Sequence, residues 1–593
     1  MLKQETYIGR VMSVNGSVVS IQLDDAVYRS AMPIINGIVY RVGQIGSFVK
    51  IPLGYSLLYG VVTQAGVNAI PEKYLEAYSQ NFALSNNRWL SVVLVGEMIR
   101  RKFERGVAQF PTAQDEAHLV TMDDLSNIYS DFNRDSSIII GKISASESLP
   151  AYLYLDKLVT RHCAILGSTG SGKSNAVSVI LDSIANHKDL KSQRILVIDP
   201  HGEYNEVLSE NCRVYKINSD PKEQNELYIP YWALPFEEFI SLFPGKLNDA
   251  QKDSIRMEVV RAKIASSKKM KPLIDENSIT SDSPLPFSLK ALWHKLDDFE
   301  RQTFTDNGRI NKTAPTQLGD ATKYQSTLYP AAAPGGGSPF LNNKALGILS
   351  FLDSLKNRAL DERFKFLFKC GEYEPDLIGK VKSDLNKLLS DWLGHDKQIT
   401  ILDLSGIPPE IMISISGALL KIIYDALFWG QNLNIGGRKQ PLLVVLEEAH
   451  NYLKAGENSI SSRTVQTIAK EGRKYGVGLM LVTQRPSELD ETTLSQCGSV
   501  ISLRMMNSKD KSHVASAVED SLQDLVNILP SLRTGEGIVM GEVVKIPSRI
   551  KFDKIGKAPK STDPKVSIEW KKDKPNPNDY KKVVELWRSG KFK

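Results

Sequence analysis

Residues Arg161 to Ser174 read Arg-His-Cys-Ala-Ile-Leu-Gly-Ser-Thr-Gly-Ser-Gly-Lys-Ser, and this stretch constrains the fold more than any other. A short apolar run, Cys163 to Leu166, leads into a loop of the form G-x-x-x-x-G-K-[ST], and a helix-like apolar run, Ala176 to Leu181, follows it. The pattern is strand, phosphate-binding loop, helix. Its glycines let the chain turn several backbone N–H groups inward around an anion, and the positive end of the helix dipole adds to the attraction. In that geometry Gly167, Ser168, Thr169, Gly170, Ser171, Gly172, Lys173, Ser174 and Asn175 cradle the phosphates of ATP. Lys173 then reaches the β- and γ-phosphates, and the Ser174 hydroxyl ligates Mg²⁺.

The second half of such a site is an apolar strand ending in acid. Pro441-Leu442-Leu443-Val444-Val445-Leu446 is such a strand, followed at once by Glu447 and Glu448. Glu447 is placed to hold Mg²⁺ through its waters, although P-loop enzymes usually have aspartate here. Glu448 is placed to orient and polarise the attacking water. The next apolar run, Gly478 to Thr483, ends at Gln484, whose amide either bonds γ-phosphate and water together or serves as a cap. Hydrolysis also needs positive charge where it develops in the transition state. Arg473, ahead of the Gln484 strand, and Arg161, ahead of the phosphate-loop strand, are the two candidates; ordinary surface ion pairing is the other reading of each.

At 593 residues the chain exceeds one hydrophobic core. Residues 1–135 carry short alternating runs split by Gly and Asn, with an Asn15-Gly16 hairpin signal, and predict a compact β-barrel. Glu72 to Asn87 reads as a polar, partly helical excursion from it. From 136 to 234 the pattern becomes buried strands and helices, including Arg194 to Asp199, as in a parallel sheet covered on both faces. Residues 235–398 predict an inserted helical domain, with helices at Phe236–Phe239, Gln251–Ala265, Leu289–Arg301, Ala345–Leu355 and Leu377–Leu393. Pro330 to Pro339 is a Gly/Pro tract, either a connector or a functional loop. The sheet resumes over 399–550, and 551–593 is a Lys-rich segment that is either a gripping arm or a solvated tail.

The formal net charge of +6 is compatible with a nucleic-acid partner without requiring one. Four scattered cysteines give neither a zinc pattern nor a disulfide framework. The N-terminus lacks a signal-peptide core and no uninterrupted apolar run reaches bilayer length, so the expectation is a cytoplasmic protein without a membrane segment.

These motifs, with Asp199-Pro200-His201-Gly202-Glu203-Tyr204, Glu471-Gly472-Arg473-Lys474-Tyr475-Gly476 and Thr534-Gly535-Glu536-Gly537, resemble the HerA family of hexameric DNA-translocating ATPases, relatives of FtsK-type motors. The resemblance implies an α/β protein: a RecA-like P-loop core with an N-terminal barrel of the HAS type, an inserted helical domain and a C-terminal brace. It implies a homo-hexamer with ATP at each subunit boundary, where Arg473, with Arg161, acts on a neighbour's nucleotide. Double-stranded DNA threads the ring, and a partner nuclease or NAD-hydrolysing effector docks on the barrel face. Similar bacterial proteins serve in anti-phage defence. The alternative reading is an ATP-regulated scaffold that assembles and activates such an effector, with translocation secondary. A secretion or conjugation motor is a third.

Overall fold

The computed structural model describes residues 4–24, 33–35, 37–40, 42–67, 88–130, 134–144, 149–217, 219, 225–271, 273–332, 337–407, 409–451, 453–454, 456, 459–556, 566–571 and 579–589. The excursion predicted at Glu72 to Asn87 and the middle of the Pro330 to Pro339 tract lie outside them, as do Lys572, Asp573 and Lys574.

Near the N-terminus the expected hairpin forms, one residue later than Asn15-Gly16: Asn15 pairs with Val18 across Gly16-Ser17, and Gly16 takes a φ of +57°. Six strands, Tyr7–Asn15, Val18–Leu23, Phe48–Leu53, Ser56–Val67, Arg88–Ile99 and Glu116–Leu119, pair around a ring. Antiparallel pairing of Val18–Gln22 with Trp89–Val93 closes the ring, which leaves no open edge in the wall. Ile8, Val11, Val19, Ile21, Val49, Ile51, Val62 and Val92 fill the interior. Lys102–Arg105 adds a seventh strand outside the ring, beside Arg88–Ile99.

The rest of the chain is built on a twelve-stranded sheet. Eight neighbouring strands are parallel, in the order Ser499–Leu503, Cys163–Leu166, Val477–Thr483, Leu442–Leu446, Ile195–Asp199, Ile399–Asp403, Cys212–Lys216 and Asn225–Glu226. Every residue of Ile195–Asp199, Leu442–Leu446 and Val477–Thr483 is buried, which accounts for their near-continuous apolar composition. Four antiparallel strands, Glu536–Gly541, Ser548–Phe552, Ser137–Ile143 and Pro150–Tyr154, extend the other side. The barrel rests on this side: Arg105 Nη1 donates to the Gly541 carbonyl at 3.0 Å and Gln64 Nε2 to Asp524 Oδ2 at 2.7 Å.

Between the sheet's two halves lie the helices Phe236–Ser241, Asp249–Ser267, Leu289–Arg301, Leu349–Leu360 and Leu385–Leu393. Their aromatic core, in which Phe243 stacks on Phe368 with centroids 5.6 Å apart, runs without a break into the core under the sheet. Two expectations need correction. The helix predicted over Leu377–Leu393 begins only at Leu385. Before it, Asp376 accepts from the N–H groups of Ile378 and Lys380, and Gly379 sits at φ +81°, which makes a turn. The segment from Gln302 to Ile348 is mostly irregular, with one short pair of strands, Thr303–Phe304 and Phe340–Leu341. One described helix, Ile411–Trp429 within Pro409–Trp429, has the length and mean apolarity to cross a membrane, but Lys421 and Asp425 interrupt its apolar run and most of it is buried inside the protein. It carries no helical period in its sequence because it is apolar nearly all round, the signature of a helix packed on several sides.

That helix approaches Ile460–Glu471 so closely that a Cβ on Gly417 would lie 2.3 Å from Ile460 Cγ2 and 2.8 Å from the Ser461 nitrogen. Gly417→Ala should therefore destabilise the core by about 1–3 kcal/mol, read as a fall in the urea midpoint at unchanged slope. An unchanged midpoint would contradict the packing described.

Candidate functional site: a phosphate loop facing a cluster of buried acids

Because the eight strands are parallel, their carboxyl ends gather at one edge, where open α/β sheets bind ligands. The loop 167–172 rises there between Cys163–Leu166 and the helix Lys173–Ala185. Gly170 and Gly172 take φ values of +73° and +99°, and a Cβ on Gly172 would lie 2.9 Å from the Gly535 nitrogen. Neighbouring segments brace the loop from outside. Ser168 donates through N and Oγ to the Arg504 carbonyl at 3.0 and 2.9 Å, and Gly535 N donates to the Ser171 carbonyl at 2.9 Å. Thr169 Oγ1 donates to Gln484 Oε1 at 2.6 Å, which ties Gln484 to the loop.

Lys173 and Glu448 meet across the site with Nζ 3.7 Å from Oε1, both nearly buried. Glu448 holds φ +48°, a left-handed conformation uncommon for a residue with a side chain, at the point where its strand turns away. Its Oε2 lies 3.2 Å from His450 Nδ1. Burial opposes its charge, but the His450 ring, Lys173 and His201 outweigh that and hold its carboxyl below the ordinary range. Glu448 is therefore ionised near neutral pH, as a group that polarises water must be.

Its neighbour is set the other way. Glu447 is fully buried and accepts from the Tyr204 hydroxyl at 2.6 Å; burial, only partly offset by Lys173 and Tyr204, pushes its carboxyl up to about 8. Asp199 is pushed by burial up to about 7, although it accepts from the N–H groups of His201, Gly202 and Tyr204 at 3.1, 2.8 and 3.2 Å. Adjacent carboxyls whose environments drive them apart are the pattern of an acid–base site.

Ser174 Oγ donates to Glu203 Oε2 at 2.7 Å. A carboxylate on the hydroxyl that P-loops use for Mg²⁺ makes Ser174 and Glu203 the pair best placed to hold that ion. Glu447, the acid expected to hold Mg²⁺ through its waters, is bonded to Tyr204, the residue next to Glu203. Among the described residues no group of three or more His, Cys, Asp or Glu could hold a metal alone. A phosphate-loop ion needs only one or two protein oxygens beside waters and phosphates.

Of the residues singled out from the sequence, Lys173, Ser174, Glu447, Glu448 and Gln484 converge at this edge. Asn175 turns its side chain elsewhere: Nδ2 donates to the Asp553 carbonyl at 2.8 Å and Oδ1 accepts from Ile555 N at 3.3 Å. A phosphate contact by Asn175 would fall to its backbone N–H. Arg473 and Arg161 lie at the opposite edge. The seven-residue strand Val477–Thr483 separates Arg473 from Gln484, roughly 20 Å at the usual rise. Arg473 is exposed, whereas Arg161 pairs with Glu542 at 3.5 Å. Glu203, Tyr204 and His450 had no role assigned from sequence. Asp199 to Tyr204 marked the end of a buried strand, but the partners Ser174 and Glu447 are distant in the chain.

Glu447 and Asp199 titrate above their ordinary 4.5 and 3.8. Between about pH 4 and pH 8 the folded chain thus keeps protons that the unfolded chain has released. Stability without nucleotide or metal should fall as pH rises through that window, by at most about 1.4 kcal/mol per pH unit per group. Thermal unfolding in chelator should show a lower Tm near pH 8 than near pH 6, and Glu447→Gln should flatten the slope. Identical slopes would contradict the assignment.

The family described as "Helicase HerA, central domain" matches residues 138–423, and "Helicase HerA-like C-terminal" matches 415–562. The DNA double-strand break repair helicase HerA of Sulfurisphaera tokodaii is 27% identical over 483 residues, 80% of this chain and 80% of that protein. The protein of the same name from Saccharolobus solfataricus is 27% identical over 464 residues, 78% of this chain and 77% of its own. The solved structure of VirB4 from Thermoanaerobacter pseudethanolicus superposes with a TM-score of 0.46 at 14% identity, over 71% of this chain and 97% of that one, below the level at which folds are equated. Phosphate loop, acid-tipped strand and the sheet that joins them fall within the two matched regions, which together span 138–562, and the chain belongs to the HerA family of helicases.

Proposed function

We propose that this HerA-type ATPase works as a six-membered ring that hydrolyses ATP between subunits and moves along double-stranded DNA. The observation that carries the reading is the separation of charges across the sheet. Phosphate loop and acids occupy one edge, while the exposed Arg473 occupies the other, beyond the reach of its own nucleotide. An arginine so placed serves a neighbour's site. The DNA substrate is taken from the relatives, named as DNA double-strand break repair helicases.

Within one site the chain's own groups have distinct tasks. The N–H groups of 167–172 and Lys173 bind and align the phosphates. Glu448, ionised and held by Lys173 and His450, orients the attacking water and accepts its proton. Gln484, bonded to Thr169, ties the loop to the strand beside the acids, so nucleotide contact at Thr169 is felt at Gln484. Ser174 and Glu203 would hold Mg²⁺, which when bound neutralises phosphate charge. Tyr204 keeps the buried Glu447 in place behind them. The reading extends to a cytoplasmic setting and to a nuclease or NAD-hydrolysing effector docked on the barrel face, in anti-phage defence. Support for that extension is the family resemblance.

ATPase rate measured with increasing duplex DNA tests the motor. Turnover should rise several-fold with duplex at low salt, and the rise should fade as salt increases. A flat response at low salt would overturn the DNA reading. Glu203→Gln should raise the Mg²⁺ needed for half-maximal turnover about tenfold or more, with ATP binding in chelator unchanged. An unaltered Mg²⁺ requirement would remove Glu203 from the site.

A further inference from the structure

Two hairpin tips lie side by side at one end of the barrel. Leu53 pairs with Ser56 across Gly54-Tyr55, Ser56 pairs with Ile99, and Ile99 pairs with Lys102 across Arg100-Arg101. Arg100 and Arg101 have φ values of +49° and +68°. A two-residue turn with both φ positive strongly prefers Asn-Gly. Two arginines hold it here at a conformational cost, and such outliers cluster where function requires them.

The side chains at this end face solvent. Arg100, Arg101 and Lys102 are exposed, and Tyr55 is among the most exposed residues of the barrel. Among the described residues Lys102 pairs with one acid, Glu104 at 3.2 Å, and both are largely in water, where such a pair contributes little. Glu97 is buried and accepts from Ala108 N. Arg105, further along the strand, is bonded to the Gly541 carbonyl and is not part of the group. The tips stand on a rigid base. Phe103 and Met98 are buried in the core that runs from the barrel wall into the sheet, and Phe103 packs edge-on against Tyr59 with centroids 6.0 Å apart.

With neighbouring strands about 4.8 Å apart, three cations and one aromatic ring fall within a few strand spacings. That combination fits a phosphodiester backbone, whose dense charge pairs with Arg and Lys and whose sugars and bases offer faces to Tyr. We propose that Gly54-Tyr55 and Arg100-Arg101-Lys102 form a nucleic-acid contact on the barrel, separate from the ATPase core. Arg100 and Arg101 bind phosphates, and Tyr55 packs against the sugar-base surface beside them. The inference rests on the reading of DNA as substrate.

The test uses the full chain, an ATP analogue that is not hydrolysed and a fluorescently labelled duplex, with anisotropy followed over a range of salt. Arg100→Asn with Arg101→Gly removes both charges while supplying the residues this turn prefers, so loss of fold does not confound the result. Affinity at low salt should fall about tenfold or more. The slope of log K against log salt should become shallower by about 1.8, or 0.9 for each lost phosphate contact. Arg100→Lys with Arg101→Lys should keep the slope, and Tyr55→Ala should weaken binding without changing it. ATPase without DNA should be unaltered in all three. If the wild-type chain binds duplex and the Asn-Gly variant matches it in affinity and slope, the tips do not contact DNA and this inference is wrong while the motor reading stands. If the wild-type chain binds no duplex at all, the motor reading fails and this inference with it.

Discussion

Parallel pairing of eight strands is the constraint on which the rest of the structure depends. It gives the sheet two unlike edges. At the carboxyl edge, strands deliver Asp199, Glu447 and Gln484 to the same place, and the helix after the phosphate loop points its positive end there. At the amino edge lie Arg161 and Arg473. On the proposed reading, a subunit carries the two halves of a hydrolytic site on opposite sides, roughly a strand's length apart. The proposed ring would let every subunit use both.

Electrostatics at the carboxyl edge follow from burial. Asp199, Glu447, Glu448 and Lys173 are packed where water is scarce, and they cannot all be charged at ordinary cost. The structure separates them. Glu448 keeps its charge through Lys173, His450 and His201, while Glu447 and Asp199 are displaced upward and held by Tyr204 and by backbone N–H groups. Binding of a polyanion with its metal changes that balance at once. The braces from Arg504, Gly535 and Gln484 onto the loop make the change felt in three other segments of the chain.

Much of this was legible in the sequence because the signals are local. The loop 167–174 declares itself by spacing, the central strands by unbroken apolar runs, and Asn15-Gly16 by its turn chemistry. Where the signal is not periodic, reading fails: the helix Pro409–Trp429 is apolar on nearly every side and offers no 3.6-residue pattern to detect. Leu377 to Asp384 failed for the opposite reason, since its apolar spacing looked helical while Asp376 and Gly379 impose a turn. Glu203 and Tyr204 are invisible as site residues until folding brings them to Ser174 and Glu447. Arg100-Arg101 gives no turn signal at all, because the pair is unfavourable there by backbone preference.

The most direct test of the divided site is complementation between two inactive subunits. Glu448→Gln lacks the group proposed to activate water but keeps Arg473, whereas Arg473→Ala lacks the arginine but keeps Glu448. Each alone should have little ATPase activity. Mixed so that subunits exchange, they should regain activity, because roughly a quarter of the interfaces in an equal mixture then join an intact Glu448 to an intact Arg473. No recovery at any mixing ratio, with exchange verified by mass, would contradict a site shared between neighbours.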